Sequence, residues 1–325
     1  MSACAPILMI GFNRPELSHR LLEHVRKARP RKLFWAVDGA RENNERDQEA
    51  VKVVRGLVKE IDWPCEVETY FQSKNRGCGH ALSEAITWFF SKVEYGIILE
   101  DDILPSQDFF EFATQILIRY KDNNSVGAVS GFNPFEFQTI KTDSYHFSTH
   151  LCIWGWGSWA RVWKDYSLDV SQYESELSEI ANKFGRTRRA RSVFLQMAHA
   201  LNDNLDTWDI QFSIMFAAKQ YLCVVPRFQL TGNIGLEQPE ATHTRGYLYD
   251  AHKYGEIRSM EFPLCHPKDV ALDERCLFLR ECRENAILPR ALTWIGCKIT
   301  SSKIRRVISI FGRILENRFP LLFRI

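Results

Sequence analysis

The sequence lacks the signatures of several protein classes. It contains no run of 18 apolar residues, so we expect no membrane-spanning helix. None of its nine cysteines form a CxxC pair, which argues against a zinc ribbon or a thioredoxin-type centre. No GxxxxGK followed by Ser or Thr is present, which disfavours a P-loop. The first residues do not resemble a signal peptide. We therefore expect a cytosolic protein with reduced thiols.

The composition is that of an ordinary globular protein. Of 325 residues, 45% are hydrophobic and 25% are charged, which is enough apolar material for a core without disulfides. This balance excludes a mainly disordered or collagen-like chain.

The formal net charge of +2 is unevenly distributed. Residues 286–325 contain eight Lys or Arg and one acid, and so carry +7, whereas the rest of the chain carries −5. A weakly acidic body is not typical of a nucleic-acid enzyme, so we expect no nucleic-acid partner. The body suits metal binding, and the tail suits an anionic surface.

Short apolar runs alternate with helical patterns over the first 130 residues. The runs lie at 6–12, 32–37, 66–71 and 95–99. Strict alternation of strand and helix predicts a parallel sheet with helices on both faces, a doubly wound α/β fold. Further on, we predict strands at 126–130 and 221–225, helices at 171–184, 189–201 and 209–219, and loops over 232–270.

Polar residues follow the predicted strands, where ligands of doubly wound sheets bind. These candidate ligand-binding residues are Asn13 and Arg14, Asp38, Asn75 and Arg76, and Glu100, Asp101 and Asp102. The segment 77–82 (GCGHAL) is an incomplete GxGxxG that follows the third strand rather than the first. The pattern therefore gives only weak support to a dinucleotide site.

The three consecutive acids at 100–102 are the most distinctive feature. Neighbouring carboxylates repel one another unless a cation or hydrogen-bond donors compensate. Mg²⁺ and Mn²⁺ typically take one or two carboxylates together with substrate phosphate oxygens. The alternative is that Asp101 or Asp102 caps the helix that follows Pro105.

Several segments together resemble a known family. They are GIILEDD at 96–102, DFFE at 108–111, VSGFN at 129–133, WGWGSW at 154–159 and TWD at 207–209. In this order and spacing they resemble GT-A glycosyltransferases, specifically the inverting N-acetylglucosaminyltransferase I type and its bacterial relatives. The resemblance covers roughly residues 6–245. It implies a GT-A mixed sheet flanked by helices, followed here by a C-terminal helical extension.

The resemblance also implies roles for individual residues. Arg14 would meet the nucleotide diphosphate and Asp38 would read the uracil edge. Asp102 would bind Mn²⁺ or Mg²⁺, with Glu100 and Asp101 facing the sugar and the ribose.

Asp209 matches the region of the family's catalytic base. The family motif continues with a second acid, where this sequence has Ile210. A metal ion at the leaving diphosphate and one base opposite it imply transfer with inversion.

Other candidates lie later in the chain. His243 is a candidate second metal ligand, because GT-A enzymes often bring a late histidine to the metal, although a lone loop histidine is more often solvated. We expect one or two of Trp154, Trp156 and Trp159 to line the acceptor side, and we count Trp156 among the donor-site contacts.

The basic tail has two possible roles. Apolar residues between 303 and 316 share one helical face and arginines largely the other, a pattern typical of membrane-surface helices. Residues 303–325 would then bind an anionic membrane on the cytoplasmic face of the inner membrane. Alternatively, the helix docks on the protein itself. We divide the chain into a nucleotide-sugar-binding half (1–130), an acceptor-binding and catalytic half (131–270) and this tail (271–325).

Together these features predict an inverting, metal-dependent glycosyltransferase. It would use a UDP-sugar donor, with UDP-N-acetylglucosamine as a candidate, and a glycan or lipid-linked acceptor in bacterial surface polysaccharide synthesis. One alternative is a nucleotidyltransferase that forms sugar nucleotides, although segment 11–14 (GFNR) is poor in glycine for that class. Another is an inactive glycan-binding scaffold, although the acid triplet is intact.

Overall fold

A computed structural model describes residues 4–133, 142–203, 205–235 and 257–284, without the side chains of 282–284. The strands in these ranges are β1 (Ile7–Gly11), β2 (Lys32–Val37), β3 (Glu66–Phe71), β4 (Tyr95–Glu100), β5 (Ile103–Pro105), β6 (Val126–Ser130), β7 (Tyr145–Ser148), β8 (Trp156–Trp159), β9 (Leu222–Pro226) and β10 (Thr231–Asn233). The α-helices are α1 (Pro15–Ala28), α2 (Glu45–Gly56), α3 (Gly77–Lys92), α4 (Gln107–Arg119), α5 (Ala160–Trp163), α6 (Leu177–Phe184), α7 (Arg188–Ala200), α8 (Asp209–Ala218) and α9 (Glu274–Glu284).

Eight strands form one mixed sheet in the order β3-β2-β1-β4-β8-β6-β9-β7. Strand β1 pairs in parallel with β2 on one side and with β4 on the other, so the chain order switches between β1 and β4. The register places Ile10 beside Glu100 across this switch point. Ligands of doubly wound sheets bind beyond the strand ends at such a point.

Helices cover both faces of the parallel half, and its central strands are apolar for that reason. All five residues of β1 are buried. Helix α1 begins with Pro15 at its first turn, and its buried face includes Leu17 and Leu21. The predicted mixed α/β sheet flanked by helices is therefore confirmed.

The second half of the sheet contains strands that periodicity did not reveal. Strand β8 lies antiparallel between β4 and β6, in a segment whose aromatic pattern is irregular. Outside this sheet, β5 and β10 form a separate antiparallel pair, and β5 lies directly after the acid triplet.

Two predicted features lie outside the described residues, namely His243 and the tail segment 303–325. Among the helices that the structure describes, none is long and apolar enough to cross a membrane.

Candidate functional site

The ends of β1 and β4 bring one arginine against two acids. Arg14 follows β1, and its Nη1 donates to Asp102 Oδ2 at 3.1 Å. Its Nε donates to Asp101 Oδ2 at 3.3 Å, and its Nη2 also contacts the Asp101 carboxylate. Arg14, predicted to bind the diphosphate, and Asp102, predicted to bind the metal ion, are thus direct neighbours.

The acid triplet concentrates negative charge in a poorly hydrated place. Burial raises the pKa of Asp101 to about 6, an effect that Arg14 opposes and Asp102 reinforces. Burial also raises the pKa of Glu100 well above its usual range, and the charges of Asp102, Asp101 and Asp209 add to that shift. One guanidinium does not balance this many carboxylates.

The acid triplet is the candidate site for a divalent metal ion. Within the described ranges, no three His, Cys, Asp or Glu side chains are grouped to hold a metal ion. Mg²⁺ and Mn²⁺, however, often use one or two carboxylates and complete their shell with substrate phosphates. The Asp102 side chain is 17% exposed and carries a hard oxygen donor, so it fits that kind of site. The excess of carboxylates over cationic groups also favours a divalent cation.

Helix capping does not explain the triplet. The helix that follows, α4, has Ser106 as its N-cap, and the Ser106 hydroxyl accepts from the Phe109 amide at 3.1 Å. Neither Asp101 nor Asp102 has that role, so the capping alternative is wrong.

The Asp38 carboxylate joins the loops after β2 and β3. Its Oδ1 accepts from the amides of Gly39 at 2.8 Å and Arg76 at 2.9 Å. Its Oδ2 accepts from Asn75 Nδ2, also at 2.8 Å. Burial raises the pKa of Asp38, and these main-chain donors oppose the shift. The structure thus brings Asp38 and Asn75 together.

The Arg76 side chain points elsewhere. Its Nη2 donates to Glu84 Oε1 at 2.6 Å, in an exposed position on α3. The backbone amide of Arg76, rather than its guanidinium, contacts the Asp38 group.

Asp209 is the first residue of α8 and accepts from the Thr207 hydroxyl. It lies near enough to Glu100 that its charge raises the pKa of that carboxyl. The structure therefore places the predicted base at the start of α8, within electrostatic range of Glu100.

Trp156 lies in the core. Only 1% of it is exposed, and its ring stacks on Trp208 with centroids 5.7 Å apart. A ring that is almost fully buried in the core cannot stack on a sugar, which corrects the expectation for Trp156. Trp154 is half-buried and packs edge-on against Phe132.

Sequence reasoning missed Asp47. Asp47 is 1% exposed and accepts from Asn13 Nδ2 at 2.8 Å and Arg41 Nη2 at 2.9 Å. It thereby orients the residue beside Arg14. The Arg41 hydrogen bonds lower the pKa of Asp47 to about 2. Its position in a charged helix gave no signal of burial.

Gly235 is a second site residue that sequence reasoning missed. The neighbouring Ile234 amide donates to the Asp102 carbonyl oxygen at 2.9 Å. A Cβ at position 235 would lie 2.3 Å from Asp102 Oδ2, so only glycine allows this approach. A single glycine after a short strand carries no such information in the sequence.

Comparisons with known proteins add little at these similarities. No family model and no curated protein matches the sequence. One similar solved structure is HddC from Yersinia pseudotuberculosis, at 10% identity and a TM-score of 0.32, over 53% of this chain and 84% of that chain. Another is a protein from Bacillus anthracis assigned as a glucose-1-phosphate thymidylyltransferase, in complex with sucrose. The match is at 13% identity and a TM-score of 0.30, over 55% of this chain and 82% of that chain. Such TM-scores carry no argument about activity.

Proposed function

We propose that the protein is a transferase that acts on nucleotide sugars, and specifically an inverting, metal-dependent GT-A glycosyltransferase. The observation that carries the proposal is the acid triplet at the switch point, where Arg14 donates to Asp102 and the charge of Asp209 raises the pKa of Glu100. The departing nucleoside diphosphate needs positive charge at its phosphates, and the acceptor hydroxyl needs a base that takes its proton as it attacks the anomeric carbon.

Each residue has a part in the proposed reaction. Asp102 would hold the divalent cation, which when bound supplies charge that stabilises the leaving diphosphate. Arg14 would exchange its carboxylate partners for diphosphate oxygens. Asp209 would accept the proton of the acceptor hydroxyl while the acceptor oxygen bonds to the anomeric carbon and the bond to diphosphate breaks. One displacement from the opposite face inverts that carbon.

The donor and acceptor follow from the family resemblance. We propose a UDP-sugar, with UDP-N-acetylglucosamine the first to test, and a glycan or lipid-linked acceptor of bacterial surface polysaccharide synthesis. Residues 303–325 would hold the enzyme on the cytoplasmic face of the inner membrane.

A nucleotidyltransferase is the second candidate. An α/β sheet of this kind and a divalent cation bound at Asp102 would serve it equally. The two reactions release different products. A glycosyltransferase releases nucleoside diphosphate from a nucleotide sugar, whereas a nucleotidyltransferase releases pyrophosphate from a nucleoside triphosphate and a sugar 1-phosphate.

The test is a thermal-shift screen followed by product analysis. We expect UDP and UDP-sugars to raise the Tm only with Mn²⁺ or Mg²⁺, and Asp102→Asn to abolish that rise. Slow release of UDP from the best donor would then support glycosyl transfer. Release of pyrophosphate from UTP and a sugar 1-phosphate, without any release of UDP from the best donor, would contradict it and establish the second candidate.

A further inference from the structure

The incomplete glycine motif at 77–82 holds a carboxylate of the protein itself. Asp206 Oδ2 accepts from the Cys78 amide at 2.8 Å, and Asp206 Oδ1 accepts from the Gly79 amide at 2.7 Å. These amides belong to the first turn of α3, whose free N–H groups and dipole favour an anion. The contact joins two segments 127 residues apart in the chain.

Both glycines are needed for this contact. Gly77 has φ +77°, a conformation that residues with a Cβ rarely adopt. A Cβ on Gly79 would lie 2.8 Å from the Thr207 carbonyl oxygen, so the loop at Thr207 could not approach as closely. The motif thus fits a neighbouring loop of the same chain.

That loop leads directly into Asp209. The Thr207 carbonyl oxygen accepts from Gln211 Nε2 at 2.9 Å, and the Trp208 carbonyl oxygen accepts from the Tyr166 hydroxyl at 3.1 Å. Trp208 is 2% exposed. Hydrogen bonds therefore hold the backbone at the consecutive residues Thr207 and Trp208. The Asp206 carboxylate supplies the hydrogen bonds to α3.

We propose that Asp206 is a positioning residue. By binding the first turn of α3, it fixes the loop that leads into Asp209 at the start of α8. The catalytic part of this inference rests on the proposed function, whereas the placement of Asp209 can be tested without any activity.

The kinetic test uses Asp206→Asn, whose amide oxygen can accept from only one of the two N–H groups while its NH₂ opposes the other. We expect kcat for sugar transfer to fall by about 10²-fold, as for a misplaced catalytic group, with the KM for donor little changed. The matched control is Asp203→Asn, which removes an exposed carboxylate three residues earlier.

A second pair of variants tests the other side of the contact. Gly79→Ala should reproduce the loss of kcat, because its Cβ pushes the Thr207 carbonyl away. Gly56→Ala is its control, since nothing lies within 4 Å of a Cβ at that position.

Alkylation of Cys78 reports the placement of Asp209 independently of activity. Burial and the charges of Glu100, Asp206 and Asp209 together raise the pKa of the Cys78 thiol to about 12. We would measure site-specific alkylation at pH 9 by peptide mass spectrometry in the full-length protein. Asp209→Asn should accelerate labelling of Cys78 in an otherwise unchanged protein, but not in the Asp206→Asn background. Fully buried Cys223 is the internal reference, because global loosening would label it as well.

The outcomes separate the two proposals. If Asp209→Asn accelerates Cys78 labelling equally in both backgrounds, Asp206 does not place Asp209 and the inference is overturned. An unchanged kcat in an active enzyme carrying Asp206→Asn also overturns it. If the unaltered protein transfers no sugar but the labelling effects are non-additive, the positioning role stands and the proposed function fails.

Discussion

The guanidinium of Arg14 lies across the carboxylates of Asp101 and Asp102, with its Nη1 3.1 Å from Asp102 Oδ2. In this arrangement a protein cation neutralises part of the site that a divalent cation would use. A metal ion at Asp102 therefore competes with Arg14. A diphosphate that draws Arg14 away would tighten metal binding, and by linkage the metal would tighten diphosphate binding equally.

Arg14→Gln should separate these two effects. We expect the variant to bind Mn²⁺ in the absence of nucleotide about 5- to 10-fold more tightly, because its carboxylates lose their resident cation. Binding of UDP with Mn²⁺ should weaken by a comparable factor. Mn²⁺ titration followed by electron paramagnetic resonance gives the first number, and calorimetry gives the second.

The control for Arg14→Gln is Arg20→Gln, which changes an exposed residue on α1, the helix that begins directly after Arg14. It removes the same charge without touching the triplet. Equal effects of both variants on Mn²⁺ affinity would mean that only the net charge matters, and the competition model would be wrong.

Gly235→Ala should damage the metal site without an extensive change in the core. A methyl group 2.3 Å from Asp102 Oδ2 must displace either the Asp102 carboxylate or the backbone of residue 235, which follows β10. We expect the Mn²⁺-dependent rise in Tm with UDP to disappear. A full rise in the variant would show that Asp102 is not the metal-binding group. Gly56→Ala again serves as the control.

Asp47→Asn should weaken the loop that carries Arg14. The carboxylate is buried and accepts from both Asn13 and Arg41, so the amide leaves donors poorly satisfied. We expect a loss of about 1–3 kcal/mol in the free energy of unfolding, measured by urea denaturation. UDP binding should also weaken, because Asn13 no longer holds its neighbour in place.

The exposed acid Glu49 on the same helix offers a control for Asp47. Glu49→Gln should leave stability within about 0.5 kcal/mol. If Asp47→Asn does the same, the buried network does not contribute as the structure indicates.

The sequence predicted the parallel half of the fold well because its signals are local. Apolar runs mark β1, β2 and β4, and the polar residues after them mark the strand ends at the site. Strand β8 was missed because its four residues derive their structure from pairing with β4 and β6. No pattern within the segment itself records that pairing.

The site residues also divide into those with a local sequence signal and those that depend on distant contacts. Arg14 and the triplet could be predicted, since they lie directly after strong strands. Asp206 and Asp47 could not, because an acid that binds distant amides or is buried under a loop has the same local sequence as a solvated one. The prediction that Trp156 contacts a substrate is wrong, because the burial of a tryptophan depends on which helix covers its strand, and Trp156 is buried.

His146 should make stability depend on pH between about 4 and 6.5. It lies in β7 with 6% exposed, and burial lowers its pKa to about 4. Asp273 opposes that shift and Arg280 adds to it. Since the unfolded chain binds this proton below about pH 6.5 and the folded protein only below about pH 4, stability falls as the pH drops through that window.

We expect His146→Gln to reduce the slope of unfolding free energy against pH by up to about 1.4 kcal/mol per pH unit. His80→Gln, which replaces an exposed histidine on α3, is the matched control substitution. Parallel curves for the unaltered protein and His146→Gln would show that the histidine titrates alike in the folded and unfolded states.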